Sequence, residues 1–197
     1  MVKSDLKLFK SIPTLSTERI VLRRMERKDV DAVYEYASDP EVSRYLLWYP
    51  HRDIFDSREY LKIVDRKYKR GEFYDWGITL VGYDKVLGTC GFTSFNVDEN
   101  SAEIGYVLNR RFWGNGIASE SARAVITFGF EVLGLDLIYA KFIPENKGSR
   151  RVLEKCHMHY DTRQHSSVEC KGRMVDVDVY SISRAEYELI CKGYING

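Results

Sequence analysis

The chain has 197 residues, 44% of them hydrophobic, enough for one domain that buries roughly 70% of the surface its unfolded form exposes without a disulfide or metal staple. Its 30 basic and 29 acidic side chains nearly cancel, leaving a net charge of +1, which excludes the strong overall field that draws duplex nucleic acid or an anionic membrane. The four cysteines, Cys90, Cys156, Cys170 and Cys191, contain no C-x-x-C pair, which argues against a zinc site or disulfide framework and predicts free, mostly buried thiols.

The opening residues lack the long apolar run of a signal peptide, and the apolar stretch from Phe128 to Ala140 is interrupted by Glu131 and Asp136. A cytoplasmic protein is expected, with no membrane association and no direct nucleic-acid binding. No repeat or low-complexity linker divides the sequence, so a short lead over 1–15 is expected to precede a single domain over 16–192. Arg19 to Met25 reads as a strand, and Lys28 to Ala37 as a helix with Val30, Val33, Tyr34 and Ala37 on one stripe. An irregular aromatic segment, Tyr45 to His51, follows. Asp56 and Glu59 then resemble the start of a second helix that ends near Gly71, with Leu61, Val64 and Tyr68 facing inward.

Trp76 to Val81 and Val86 to Phe95 are β-rich runs joined by Gly82-Tyr83-Asp84-Lys85, and Asp98-Glu99-Asn100 turns the chain into a third strand, Ala102 to Leu108. Ala118, Ala122, Val125, Ile126, Gly129, Val132 and Leu133 recur at helical spacing before a stop at Gly134. Asp136 to Ile143 is a further strand. Asn146 to Cys156 is a short helix with Val152, Leu153 and Cys156 inward, Met174 to Ile182 alternates as a strand, and Ser183 with Glu186 caps a closing helix. The order β-α-α-β-β-β-α-β-α-β-β predicts an α+β domain with a mixed, mostly antiparallel central sheet and helices on both faces.

Between the strand at 102–108 and the next helix lies Arg110-Arg111-Phe112-Trp113-Gly114-Asn115-Gly116-Ile117-Ala118. Two glycines around one asparagine allow a tight turn that gathers backbone N–H groups, and the helix adds its unpaired N–H groups and positive dipole end, so the stretch can cradle an anion. Tight packing of the turn is the competing reading. A P-loop is ruled out because no G-x-x-x-x-G-K-[ST] string exists, and a dinucleotide fingerprint fails because Ser119 stands where a third Gly or Ala is needed.

Taken together, Ala102-Glu103-Ile104-Gly105-Tyr106-Val107-Leu108, Arg111-x-x-Gly114-x-Gly116-x-Ala118 and Pro144-Glu145-Asn146-x-x-Ser149-x-x-Val152-Leu153-Glu154-Lys155 resemble the GNAT N-acetyltransferase superfamily. Thr17 to Arg23, Ser38 to Val42 and the Asn146-x-x-Ser149 form are similar to its ribosomal-protein (RimJ/RimL-like) branch. The resemblance implies acetyl-CoA as cosubstrate, with its pyrophosphate on Arg111, Phe112, Trp113, Gly114, Asn115, Gly116, Ile117 and Ala118. It also implies a pantetheine arm along Tyr106, Val107 and Leu108. Arg110, Arg111, Lys147, Arg150 and Arg151 are candidates to add charge near the phosphates.

It further implies Glu103 as general base, directly or through water, and Ser149 as donor to the leaving sulfur, since Glu154 occupies the place where many members carry a tyrosine. An ion-paired strand glutamate and an ordinary helix-start serine are the plain alternatives. Asn146 is expected to join the strand end to the cosubstrate or to cap the helix. The acceptor site is expected opposite, lined by Trp48 and Tyr49 with His51 nearby; the same aromatics also suit a lid or the edge of the core. The implied acceptor is a primary amine, a protein N-terminus with Ala or Ser first, or alternatively a polyamine or antibiotic, and a homodimer is compatible. A CoA-binding sensor that transfers nothing is the rival from another class. No metal is expected, although His157, His159 and His165 cluster in sequence, and His157 stands where the family has a glycine suited to positive φ.

Overall fold

The structure, a computed structural model, describes residues 12–71 and 74–193, without the side chain of Tyr74. Eight strands form one sheet in the order β1-β2-β3-β4-β5-β6-β8-β7. They are β1 (Leu15–Ser16), β2 (Ile20–Arg23), β3 (Tyr74–Leu80), β4 (Tyr83–Asn96), β5 (Ser101–Leu108), β6 (Leu137–Phe142), β7 (His159–Cys170) and β8 (Arg173–Ser183). All neighbours run antiparallel except β5 and β6. A parallel pair needs a crossover, and α4 (Ile117–Glu131) supplies it.

Helices cover both faces, as the order of elements predicts. On one side, α1 (Val30–Ala37), the short α2 (Pro40–Ser43) and α3 (Ile54–Arg70) bury Val33, Tyr36, Leu61, Val64 and Tyr68. On the other, α4, α5 (Lys147–Glu154) and α6 (Arg184–Cys191) close over the larger core, where Trp76 meets Phe128 edge to face at 5.4 Å. Trp76 Nε1 donates to the Pro13 carbonyl at 2.7 Å, which satisfies the indole where water is excluded and ties the segment before β1 to the sheet.

Local chemistry places several boundaries away from the expected ones. Helix α3 starts earlier, because the Asp53 carboxylate accepts from the N–H groups of Phe55 and Asp56 while Asp56 accepts from Arg52 N–H; Glu59 lies inside the helix and pairs with Lys62. Its other end is as expected, with Gly71 left-handed at φ 65°. The β3–β4 turn needs only Val81-Gly82, so Tyr83, Asp84 and Lys85 belong to β4. In α1 the inward tyrosine is Tyr36, whereas Tyr34 points its hydroxyl at the Arg52 carbonyl. Val132 is exposed because α4 stops at Glu131. Ser183 and Glu186 form the expected reciprocal cap. Cys90, Cys156 and Cys170 are buried free thiols and Cys191 is an exposed one.

Gly88 in β4 admits the end of β5. A Cβ there would lie 2.1 Å from the Val107 carbonyl oxygen and 2.8 Å from Leu108 Cα, and backbone cannot swing aside as a side-chain tip can. Gly88→Ala is therefore expected to destabilise the domain by on the order of 3 kcal/mol, read as a lower urea midpoint.

Candidate active site

The site begins with a defect in the sheet. Phe92 pairs with Ile104 but Ser94 pairs with Glu103, so Thr93 is an extra residue that bulges β4 and turns its partner. Glu103 is also where β6 lets go: the parallel ladder consists of Ser101 with Leu137, Ala102 with Ile138 and Glu103 with Tyr139, and then stops. Strand β5 continues to Leu108 beside β4, and β6 continues to Phe142 beside β8. Beyond Glu103, β5 therefore has no strand partner on the β6 side, and the backbone of Tyr106 faces a widening gap where an extended amide chain can satisfy it, while the Val107 carbonyl lies against Gly88 of β4.

At the end of the gap the chain enters the glycine loop. Gly114 and Gly116 both have φ of 78°, which a side chain disfavours, and a Cβ on Gly114 would meet nothing within 4 Å. The loop turns carbonyls toward protein donors: the Asn115 carbonyl accepts from Arg19, and that of Trp113 accepts from Asn115 Nδ2 at 3.1 Å. Trp113 Nε1 donates to the Leu108 carbonyl at 2.7 Å and fastens the loop to β5. The first backbone bond at the start of α4 runs from Glu120 N–H to the Gly116 carbonyl, so the N–H groups of Ile117 and Ala118 lie ahead of the helical ladder, at its positive end. Arg19 Nε also bonds the Glu120 carboxylate at 2.8 Å, holding that anion at the flank.

The arginines expected beside the loop are largely committed elsewhere. Arg110 pairs with Asp39 at 2.9 Å, Arg111 with Glu35 at 3.3 Å, and Arg150 with Glu154 at 2.9 Å. Among the described residues Lys147 and Arg151 form no ion pair. The arrangement suits an extended anion held mainly by backbone donors, with few mobile cations.

Three side chains flank the gap. Glu103 is half-buried; burial pushes its carboxyl above the usual range, opposed by the charge of Lys141 and by the Ser94 hydroxyl at 3.4 Å. No arginine pairs with it among the described residues, so the ion-paired alternative does not apply. Ser149 sits in the first turn of α5, where the Asn146 side chain caps the helix by accepting from Ser149 N–H at 3.0 Å. Facing it from β5, the Tyr106 hydroxyl lies 2.8 Å from Ser149 Oγ and 3.0 Å from the Ser149 carbonyl. His157 closes α5 at φ 59°, and Met158 N–H still reaches the Leu153 carbonyl at 3.0 Å, so the turn survives without the glycine.

Trp48 and Tyr49 line a separate open cleft of about 800 Å³, together with His51, Asp56, Glu59 and Tyr60. No contact brings either of them to Glu103. The link runs through Tyr60, whose hydroxyl donates to Asp75 on β3 at 3.0 Å; Asp75 pairs in register with Gly91, which pairs with Gly105, two residues from Glu103. Burial pushes the Asp75 carboxyl up to about 6, with the hydroxyls of Tyr60 and Thr89 pulling the other way. Sequence reasoning missed Asp75 because it begins the strand at Trp76. An acid one residue earlier in that alternation was the signal available. It also missed Lys171, at the two-residue β7–β8 turn, which reaches the Ser43 carbonyl at 2.7 Å and lies over the Tyr49 ring. His165 is engaged by Asp176 at 2.9 Å.

Comparison with known proteins agrees with this geometry. Residues 19–159 match the acetyltransferase (GNAT) domain model. N-acetyltransferase p20 of Bacillus licheniformis is 37% identical over 88% of this chain and 98% of its own length. The [ribosomal protein uS5]-alanine N-acetyltransferase of Escherichia coli is 25% identical, covering 72% of this chain and 75% of that protein. A GNAT-family acetyltransferase from Bacillus anthracis superposes with a TM-score of 0.79 at 29% identity, covering 88% of this chain and all of that one.

The raised carboxyl of Glu103 has a consequence for stability. The folded chain holds this proton to higher pH than the unfolded one, so between the unfolded value of about 4.3 and the folded value the native state binds more protons and stability falls as pH rises. Glu103→Gln removes that loss. Urea titrations from pH 4 to 8 are expected to show the variant gaining on the wild type as pH increases.

Proposed function

Because the chain belongs to the GNAT acetyltransferase domain family and is an acetyl-CoA-dependent acetyltransferase, we propose that it acetylates a primary amine at the N-terminus of a protein, of the Ala- or Ser-first kind found on ribosomal proteins. The observation that carries the site reading is the parting of β5 and β6 after Glu103, with that half-buried carboxyl at its start and Ser149 of α5 hydrogen-bonded to Tyr106 further along β5. The protein-amine reading is supported by the uS5-alanine relative and by an acceptor cleft that is wide and open.

The residues fit the cosubstrate. The Gly114 position has the backbone shape and the empty space a bound pyrophosphate requires, with the N–H groups of Ile117 and Ala118 directed by the helix start. The edge of β5 over Tyr106, Val107 and Leu108, left without a strand partner by β6, suits a pantetheine amide at Tyr106, with the Leu108 carbonyl already held by Trp113 Nε1, and Phe112, Trp113 and Asn115 shape the loop beyond it. Acetyl-CoA supplies the thioester from which the acetyl group passes to the amine nitrogen.

Glu103 removes the ammonium proton, and its raised affinity for protons suits a base that must work near neutral pH. Ser149 offers its hydroxyl to the sulfur as negative charge develops there. Asn146 fixes the start of α5 so that Ser149 keeps its position. Holding amine and thioester in line accounts for most of the acceleration. The cleft beside Trp48 and Tyr49 receives the rest of the acceptor, and Lys171 ties the β7–β8 turn to Ser43 and to the Tyr49 ring at its edge.

A specific observation favours one second reading. Asp56 and Glu59 stand among the aromatic walls of the cleft, a lining that also suits a small polycationic amine. Thiol release measured with Ala- and Ser-first peptides, polyamines and aminoglycosides decides between them: turnover with peptides alone is the expected result, and turnover with polyamines alone replaces it. Glu103→Gln is expected to lower kcat by roughly 10²-fold while calorimetric acetyl-CoA affinity stays within about twofold. An unchanged pH–rate profile would remove Glu103 from the base role.

A further inference from the structure

A serine hydroxyl is a far weaker acid than a thiol, so Ser149 alone cannot leave its proton on the sulfur and remain an alkoxide. It needs a second group that donates to Oγ at the same moment. The structure holds such a group within reach. Tyr106 projects from β5, and its hydroxyl lies 2.8 Å from Ser149 Oγ and 3.0 Å from the carbonyl of the same residue. Burial pushes the phenol well above its usual range, so it stays neutral and keeps one proton to donate.

The geometry points to Tyr106 as the positioning residue that completes the proton path, acting on the leaving sulfur through Ser149. This rests on the reading of Ser149 as the sulfur's donor. One phenolic proton faces two acceptors at nearly equal distance, which defines two arrangements. With the proton on the Ser149 carbonyl, the serine hydroxyl donates to the phenol oxygen. With the proton turned to Oγ, the serine's own hydrogen is free to point away from Tyr106, toward the gap. A rotation about the phenolic C–O bond interconverts them without moving heavy atoms.

The balance of the step is simple. The C–N bond forms as the C–S bond breaks and the electron pair of C–S goes to sulfur; the ammonium nitrogen gives up two protons, the first to Glu103 before attack and the second to water once the C–N bond has formed. The sulfur takes the Ser149 proton while Tyr106 keeps its own and donates a hydrogen bond to Oγ, and Oγ regains a proton from water, so both hydroxyls return to their neutral starting state as the thiol leaves. Tyr106 also supplies from a strand the phenol that Glu154 does not provide from the helix.

A double-mutant cycle tests this with steady-state thiol release. Ser149→Ala and Tyr106→Phe are each expected to lower kcat by a similar factor, about 10-fold to 100-fold, with the acetyl-CoA KM within about twofold. The double variant should be no slower than Ser149→Ala. Multiplying effects, or a Tyr106→Phe enzyme with wild-type kcat, would overturn the coupling while leaving Ser149 in place. A Ser149→Ala enzyme with wild-type kcat would overturn the donor reading itself and the relay with it. Site-specific 3-fluorotyrosine at position 106 keeps ring shape and packing with a stronger hydrogen-bond donor. It should retain kcat, and a fall as large as that of Tyr106→Phe would count against the relay even if the phenylalanine variant folds poorly.

Discussion

One extra residue in β4 sets the conditions for everything else. Thr93 cannot pair, so β4 and β5 bend at Glu103, and the parallel ladder to β6 ends after three rungs. Unpaired backbone in a protein interior is unfavourable, and a gap of this kind persists only because each diverging strand is secured on its far side, β5 by β4 and β6 by β8. The same bend places Gly105 where Thr93 Cγ2 would sit 2.7 Å from a Cβ, so the bulge also fixes which residue the next position can carry. A site for an extended amide chain is thus built into the hydrogen-bond pattern of the sheet, before any side chain is considered.

Side-chain charge is arranged to leave that gap governed by backbone dipoles. Glu35 engages Lys85 and Arg111, and these contacts hold its carboxyl below the usual range. Glu120, although desolvated, is likewise kept ionised by the Thr17 hydroxyl and by Arg19. The two carboxyls whose proton affinity rises, Glu103 and Asp75, are those where desolvation outweighs the opposing charge of Lys141 and of Lys67. Near-zero net charge therefore conceals a division between paired surface acids and desolvated ones, and burial raises the proton affinity of the second kind.

The segment that carries Trp48 and Tyr49 is held by distant parts of the chain. The β7–β8 turn, with Lys171 at φ 52° and Gly172 at φ 80°, lies against Ser43 and Tyr49, and Cys170 Sγ approaches the Leu46 carbonyl at 3.5 Å. The segment between α1 and α3 is consequently held from two sides, by α3 through the His51 to Ser57 hydrogen bond at 2.8 Å and by the hairpin tip. Variation in either element would reshape this segment without touching Glu103 or Ser149.

Local rules were enough to read the Gly114-Asn115-Gly116 turn, the Ser183–Glu186 cap, the stop at Gly71 and the alternation of Met174 to Ile182, because each depends on backbone preferences within a few residues. The motif set also pointed to Glu103, Asn146 and Ser149; the structure has Glu103 at the last rung of the β5–β6 ladder and Asn146 with Ser149 at the start of α5, beside Tyr106. Tyr106 was legible as a strand residue beside the cosubstrate but not as the partner of Ser149, since 43 residues separate them and only the closure of α5 over β5 makes their hydroxyls meet. Lys171 was invisible for the same reason, since it meets Ser43 and Tyr49 more than a hundred residues away, whereas Asp75 was missed by beginning β3 at Trp76. The sequence by itself determined which segments fold into strands and helices and which loop can hold an anion; the tertiary structure decided where the sheet opens and which polar groups share that opening, because register, bulge and burial depend on contacts between residues far apart in the chain.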